Sequence, residues 1–320
     1  MKTETVRCKL PVARSVKMEI PVKSNFPQAR FLSFIMLLAL PMFIAAKSKK
    51  TDEPILYREG FLQVVSPDGA TVQQAREMAA KVLAAWKFDL KVMQWGHPAE
   101  MQRPLVLRLI SHDRMKSEHG GARATAARSG NKFTVDMNLI GDDSIDRTFA
   151  HELGHVQTFR ALGKYSGPSY VPTYFLEGHG QMLNQLYSDH LGQDRSGPGA
   201  SIVHTMMSFT AEEARDILTD PSYFKVGTAK EKMNKEAKME RMGLYFVEYL
   251  RVRKDIPDTL PRMGRVFELV GRGATYEQAF KQAYSLSLDR TVSEIVTYFK
   301  QTETQPADRI KGTRFEEYLQ

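Results

Sequence analysis

Cysteine is nearly absent from this 320-residue chain, with Cys8 its one thiol. That excludes an internal disulfide and leaves the folded part of the sequence without a thiolate for nucleophilic catalysis or metal binding. Such a chain is compatible with an oxidising compartment without requiring one. A membrane-spanning apolar run is also missing. Phe31 to Ala46 comes nearest, but its 16 residues are broken by Ser33 and Pro41 and fall short of the ~20 that span a bilayer comfortably. Surplus positive charge is missing from all but the start. The net charge is +8, yet residues 1–50 hold ten of the 45 Lys/Arg and two of the 37 acids, so the remainder carries 35 of each. The basicity belongs to the amino-terminal segment, and nucleic-acid binding loses its main support.

Residues 1–50 read as a leader, because Arg30 and other basic residues precede the apolar run and Ala45-Ala46 supply the small residues of a cleavage point. Length favours a signal peptide. The alternative is a retained membrane anchor, which Lys47, Lys49 and Lys50 close behind the run would suit; a start at Met18 would shorten the unusually long stretch before it. Either way the expectation is an exported protein, periplasmic or secreted, with membrane attachment only through this segment.

With 42% hydrophobic and 26% charged residues, the rest of the chain is globular. Phe61 to Val65 reads as a strand, and Thr71 with Gln74 has the spacing of a capping box ahead of Ala75, Met78, Val82 and Trp86 at helical intervals. Leu105 to Ile110 reads as a second strand; Ala122 to Ala127 and Lys132 to Leu139 flank a Gly130-Asn131 turn. In the last of these, Phe133, Val135, Met137 and Leu139 should face a core, with Lys132, Thr134, Asp136 and Asn138 outward. This strand is expected at the sheet edge, where an extended peptide could pair with it. Beyond a Gly- and Asp-rich loop at 189–200, helical composition dominates: 211–218, 229–253, 260–270, 276–284 and 291–299. The alternating charges of Lys230 to Arg241 are expected to form a solvated helix face, and the sixteen methionines to fill gaps in the core. No internal repeat is present. The division that follows is a leader to 50, a catalytic subdomain over 55–188, a helical subdomain over 200–300 and a polar tail over 301–320.

The centre of the chain is His151-Glu152-Leu153-Gly154-His155. Residues four apart stand one turn above each other on a helix, so His151 and His155 present two imidazoles to one point, a geometry that can share a Zn2+. Glu152 is rotated by one residue step, near enough to reach a water on the metal as a general base without ligating. Ser144 is a candidate N-cap and Gly163 a C-terminal stop, with Ile145, Phe149, Leu153, Val156 and Leu162 as the apolar face, so the motif falls mid-helix.

Two histidines leave the third protein ligand open. A metzincin would need Gly at 158 and His at 161, where the sequence has Thr158 and Ala161. Glu177, 22 residues past His155 in Phe175-Leu176-Glu177-Gly178, stands on an expected helix that begins at Pro172; a carboxylate completing two histidines is a catalytic zinc set with its fourth position open. His179 is the rival ligand, although two residues from Glu177 it points to a different face. Gln181 shares the face of Glu177 and could steady a ligand histidine through its free ring nitrogen.

This pair of motifs resembles the gluzincin peptidases, and most closely the small peptidase MA-like proteins, in which a histidine helix is followed by a helix carrying Glu-Gly after an aromatic residue. The resemblance extends weakly over about Phe61 to Phe299, and only the two motifs are specific. It implies an α+β, zincin-like mixed sheet with active-site helices plus a mostly helical C-terminal subdomain. It also implies His151, His155 and Glu177 as zinc ligands and Glu152 as the base. The usual tryptophan before Leu-Glu-Gly is replaced by Tyr174 or Phe175, and His179 stands where a small or aliphatic residue is common. The resemblance further places Tyr245 on a helix closing over the zinc, where its hydroxyl would donate to a developing oxyanion; a core aromatic is the alternative. The expected activity is zinc-dependent hydrolysis of a peptide or protein substrate. The competing expectation is a catalytically silent scaffold that binds a peptide or protein partner, against which the intact Glu152 counts.

Overall fold

A computed structural model describes residues 53–96, 103–119, 123–129, 132–138, 145–192, 209–220, 223 and 228–302. The leader, Ser144, Leu139, most of the 189–200 loop and nearly all of the tail lie outside the described residues.

The architecture is α+β. Five strands form one mixed sheet: β1 (Ile55–Glu59), β2 (Leu62–Val65), β3 (Leu105–Ile110), β4 (Ala124–Ser129) and β5 (Lys132–Asn138), in the order β1-β2-β3-β5-β4. The outer pairs β1/β2 and β5/β4 are antiparallel, while β2/β3 and β3/β5 are parallel. The connection from β2 to the parallel β3 runs through α1 (Val72–Met93), opened by the expected capping box of Thr71 and Gln74. Trp86, Ala85 and Val82 of α1 are buried, as are Leu105, Leu107, Phe133, Val135 and Met137 of the central strands. Each large apolar side chain so buried stabilises the fold by about 1.5–3 kcal/mol.

Three sequence expectations are corrected here. β5 is not the edge: it pairs with β3 on one side and β4 on the other, so the free edge belongs to β4. Its outward face is wet only in part, because α2 (His112–His119), a short polar helix with no apolar periodicity to announce it, packs over that face at Asp136. Asp136 is therefore buried, bonded to Arg108 of β3, its register partner, and to His119 of α2. The strand β1 was also not anticipated.

The remaining helices are α3 (Ile145–Leu162), α4 (Thr173–His190), α5 (Ala211–Thr219), α6 (Ala229–Val252), α7 (Thr259–Gly271), α8 (Tyr276–Tyr284) and α9 (Leu288–Thr302). Gly163 stops α3 with φ +55°, the left-handed conformation that glycine adopts without strain. One hydrophobic core joins the sheet to the late helices, running from Leu62 through Phe175, Phe246 and Phe267 to Phe299. Within it α4 is clasped between α3 and α6. The approach of α4 to α6 is set by glycine. A Cβ on Gly178 would lie 2.2 Å from the Gly243 carbonyl oxygen, and one on Gly243 would lie 2.0 Å from that of Tyr174. The two backbones touch. Among the described residues no helix is long and apolar enough to cross a membrane.

Candidate metal centre

The histidine motif lies mid-helix on α3, and α4 lies directly across from it. Packing is close because the facing residue is Gly180, where a Cβ would come within 2.9 Å of the His151 ring. His151 Nε2 and His155 Nε2 stand 2.9 Å apart, and Glu177 Oε2 is 3.4 Å from the first and 3.3 Å from the second. Three ligands at zinc-bond lengths of about 2.0–2.2 Å from a tetrahedral centre are separated by about 3.3 Å from one another. The three donor atoms thus have the spacing that a zinc ion requires, and their chemistry, two imidazoles and one carboxylate, fits it. Glu152 is buried one residue away on the same helix.

The electrostatics show the cluster drawing in positive charge. Burial opposes a charged His151, but the hydrogen bond to Glu177 and the charges of Glu152, Glu177 and Glu240 outweigh it and lift its pKa to about 9. Glu177, although its burial works the other way, is held well below the usual carboxylate range by His155 and His151. In effect a proton stands in for a metal between these groups.

His179 is not brought to the cluster. It is fully buried, edge-on to Trp95 and Phe267. Its Nδ1 lies 3.1 Å from Thr158 Oγ1, whose hydroxyl donates to the Gly154 carbonyl at 2.9 Å. With that proton engaged, Nδ1 is the donor of the pair and the ring is neutral; burial first, then the neighbouring His155 and His151, lower its pKa to about 3. His179 ties α4 to α3 from behind the motif. Gln181 likewise departs from expectation, since its Nε2 donates to Glu240 Oε2 at 3.1 Å rather than to a ligand histidine. Tyr245 packs among aromatic rings. It stands two residues from Gly243, the contact point with α4, so it leaves α6 on the opposite side. There its ring packs at 5.2 Å from Phe299 and 6.4 Å from Phe209.

The residue missed by sequence reasoning is Glu240. The solvated face expected over Lys230 to Arg241 is turned partly inward here, with Glu240 and Glu236 half-buried. Burial and the charge of Glu177 raise the pKa of Glu240 to about 7, against the opposite influence of His151. The available signal was Gly243, three residues on: a glycine inside a strong helix marks a close contact, and the residue one turn before it shares that face.

A second grouping among the described residues, Glu118, His119 and Asp136, also brings possible ligands together. Here a cation is already built in. Arg108 Nη1 donates to Asp136 Oδ2 at 2.7 Å and lies 3.8 Å from Glu118, while its Nε and Nη2 grip Glu53 at 3.3 and 3.2 Å.

Comparison with models of known protein families and with curated proteins finds no match to this chain.

Proposed function

We propose that this protein is a zinc-dependent peptide hydrolase of the gluzincin kind, with a zincin-like arrangement of sheet, α3 and α4. The carrying observation is the near-equal spacing of His151 Nε2, His155 Nε2 and Glu177 Oε2, with the buried Glu152 next to His151 on α3. These three residues would hold the metal. Zinc, when bound there, polarises a carbonyl group and acidifies water. Glu152 accepts the proton of the attacking water and returns it to the departing amine, the work of a general base that becomes a general acid. His179 and Thr158 keep α4 in register with α3, so that Glu177 meets the histidines. The leader is read as an export signal or anchor, which places the activity outside the cytoplasm.

Two measurements test this together. Elemental analysis of zinc-replete protein should find one zinc per chain at this site, and cleavage of a broad peptide library should stop with a chelator and return with zinc. Absence of stoichiometric zinc overturns the reading; zinc with no cleavage of any peptide turns it into the silent scaffold.

A further inference from the structure

The α6 wall of the metal centre carries two glutamates with no lysine or arginine partner among the described residues. Glu236 and Glu240 are four residues apart, so they share one face of the helix. The backbone contact of Gly178 with Gly243 presses that face against α4. One turn before Gly243, Glu240 meets Gln181, which lies one turn beyond Glu177, and the 3.1 Å bond from Gln181 Nε2 reaches only one oxygen of the carboxylate. Gln181 is neutral, and among the described residues no lysine or arginine pairs with either glutamate. Of the basic residues in this stretch, Lys238 pairs with Glu213 on α5 and Lys235 lies over the Tyr223 ring. Glu240 is also not among the grouped metal ligands, which are His151, His155 and Glu177. A half-buried carboxylate that is neither ligand nor ion pair is costly to keep unless something cationic comes to it. Glu177 offsets one charge of a divalent ion, and the carboxylates of Glu152, Glu236 and Glu240, when ionised, leave the surroundings net negative.

We infer that Glu240, backed by Glu236, is a recognition point for a cationic group on the substrate, an ammonium or guanidinium held beside the metal. This rests on the metallopeptidase reading and gives it a substrate class: peptides with positive charge next to the bond to be cleaved. Such a charge has two sources, a free amino terminus or a basic side chain, and they predict different products, single residues trimmed from an end or cuts beside Lys and Arg.

Binding of metal-chelating hydroxamates to the zinc-loaded full chain separates these without needing turnover. Three probes suffice: norleucine hydroxamate, with a free α-ammonium; Nα-acetyl-norleucine hydroxamate, neutral; and Nα-acetyl-lysine hydroxamate, with a side-chain ammonium. At least one cationic probe should bind roughly tenfold or more tightly than the neutral one, as expected for a partly buried charge pair. Whichever it is names the source. In Glu240→Gln, which keeps an acceptor for Gln181, that ratio should collapse toward one while zinc content is retained. Glu240→Lys, if folded, should invert it and favour an Nα-acetyl-glutamate hydroxamate. Equal affinity for all three probes in the wild-type protein, or an unchanged ratio in Glu240→Gln, overturns the inference while leaving the peptidase reading in place. Failure of every hydroxamate to bind overturns both.

Discussion

Two histidine–carboxylate clusters lie in this molecule, and they differ in one respect that decides their use. On the outer face of the sheet, His119, Asp136 and Glu118 gather around Arg108, whose guanidinium binds Asp136 Oδ2 and Glu53 at once. Between α3 and α4, His151, His155 and Glu177 gather around nothing that the chain itself supplies as a permanent cation. The first arrangement has its cation built in and pins α2 to the sheet, although Asp136 Oδ1 stays buried without a partner among the described residues. The second carries its positive charge as a proton on His151, raised by Glu177 and its neighbours, and a metal would displace that proton. Proximity of ligand types is therefore a poor guide until the charge balance within the cluster is counted.

The largest effect that would break this comparison is at the histidines. His155→Ala should abolish stoichiometric zinc and activity, while His119→Ala should leave zinc at one per chain; elemental analysis reads both, and zinc lost from the second variant alone would reverse the assignment. Glu152→Gln should keep zinc and lower peptide turnover by ~10²-fold or more, since it removes only the proton acceptor. Glu177→Gln should instead weaken zinc binding, with activity partly restored by excess zinc. Retained affinity in that variant would remove Glu177 from the ligand set.

Arg108→Met sharpens the contrast from the other side. It deprives Asp136 and Glu53 of their partner and should cost about 2–3 kcal/mol, somewhat below the loss for a fully buried pair because Arg108 is 18% exposed. Thermal or denaturant unfolding measures this. The same change should give the outer cluster a weak affinity for divalent cations that the wild type lacks, visible as a second, low-affinity phase in zinc titration. A smaller effect concerns pH. His151 is held protonated up to about 9 in the metal-free protein and must be neutral to bind a metal. Zinc affinity should therefore rise from pH 6 to 9, with about one proton released per zinc at pH 7. In the metal-free protein the sign is opposite: the stability contributed by charged His151 is full below its unfolded pKa and is lost as pH rises through about 9. Calorimetry in buffers of different ionisation enthalpy reads the proton release, and a pH-independent affinity would contradict it. Smallest of all, His179→Phe should leave zinc content unchanged, because its Nδ1 is spent on Thr158.

Features fixed by neighbours along the chain were legible in the sequence. The capping box at Thr71, the stop at Gly163 and the one-turn spacing of His151 and His155 are local, and so is the helical period that revealed most of the later helices. What depended on distant partners was not. Nothing near Asp136 announces that α2 will cover it, and the place of β5 inside the sheet follows from its pairing with β3, more than twenty residues away. Glu240 looked solvated because its neighbours alternate in sign; only the contact of Gly243 with α4 turns it inward. Which side of α6 carries Tyr245 is set by the same contact, so that too was not legible.

The touching glycines of α4 and α6 act as a spacer gauge with its shim removed. Because neither helix has a side chain there, the distance between them is fixed by the thickness of two peptide backbones, the smallest that packed helices allow. Any larger residue at 178 or 243 would act as a wedge, and the displacement would be felt one turn away on both sides of it. Glu177 would be carried off the histidines on one jaw and Glu240 away from Gln181 on the other. The spacing of α4 and α6 is thus a mechanical setting, and on the proposed reading metal retention and substrate choice would change together when it is altered.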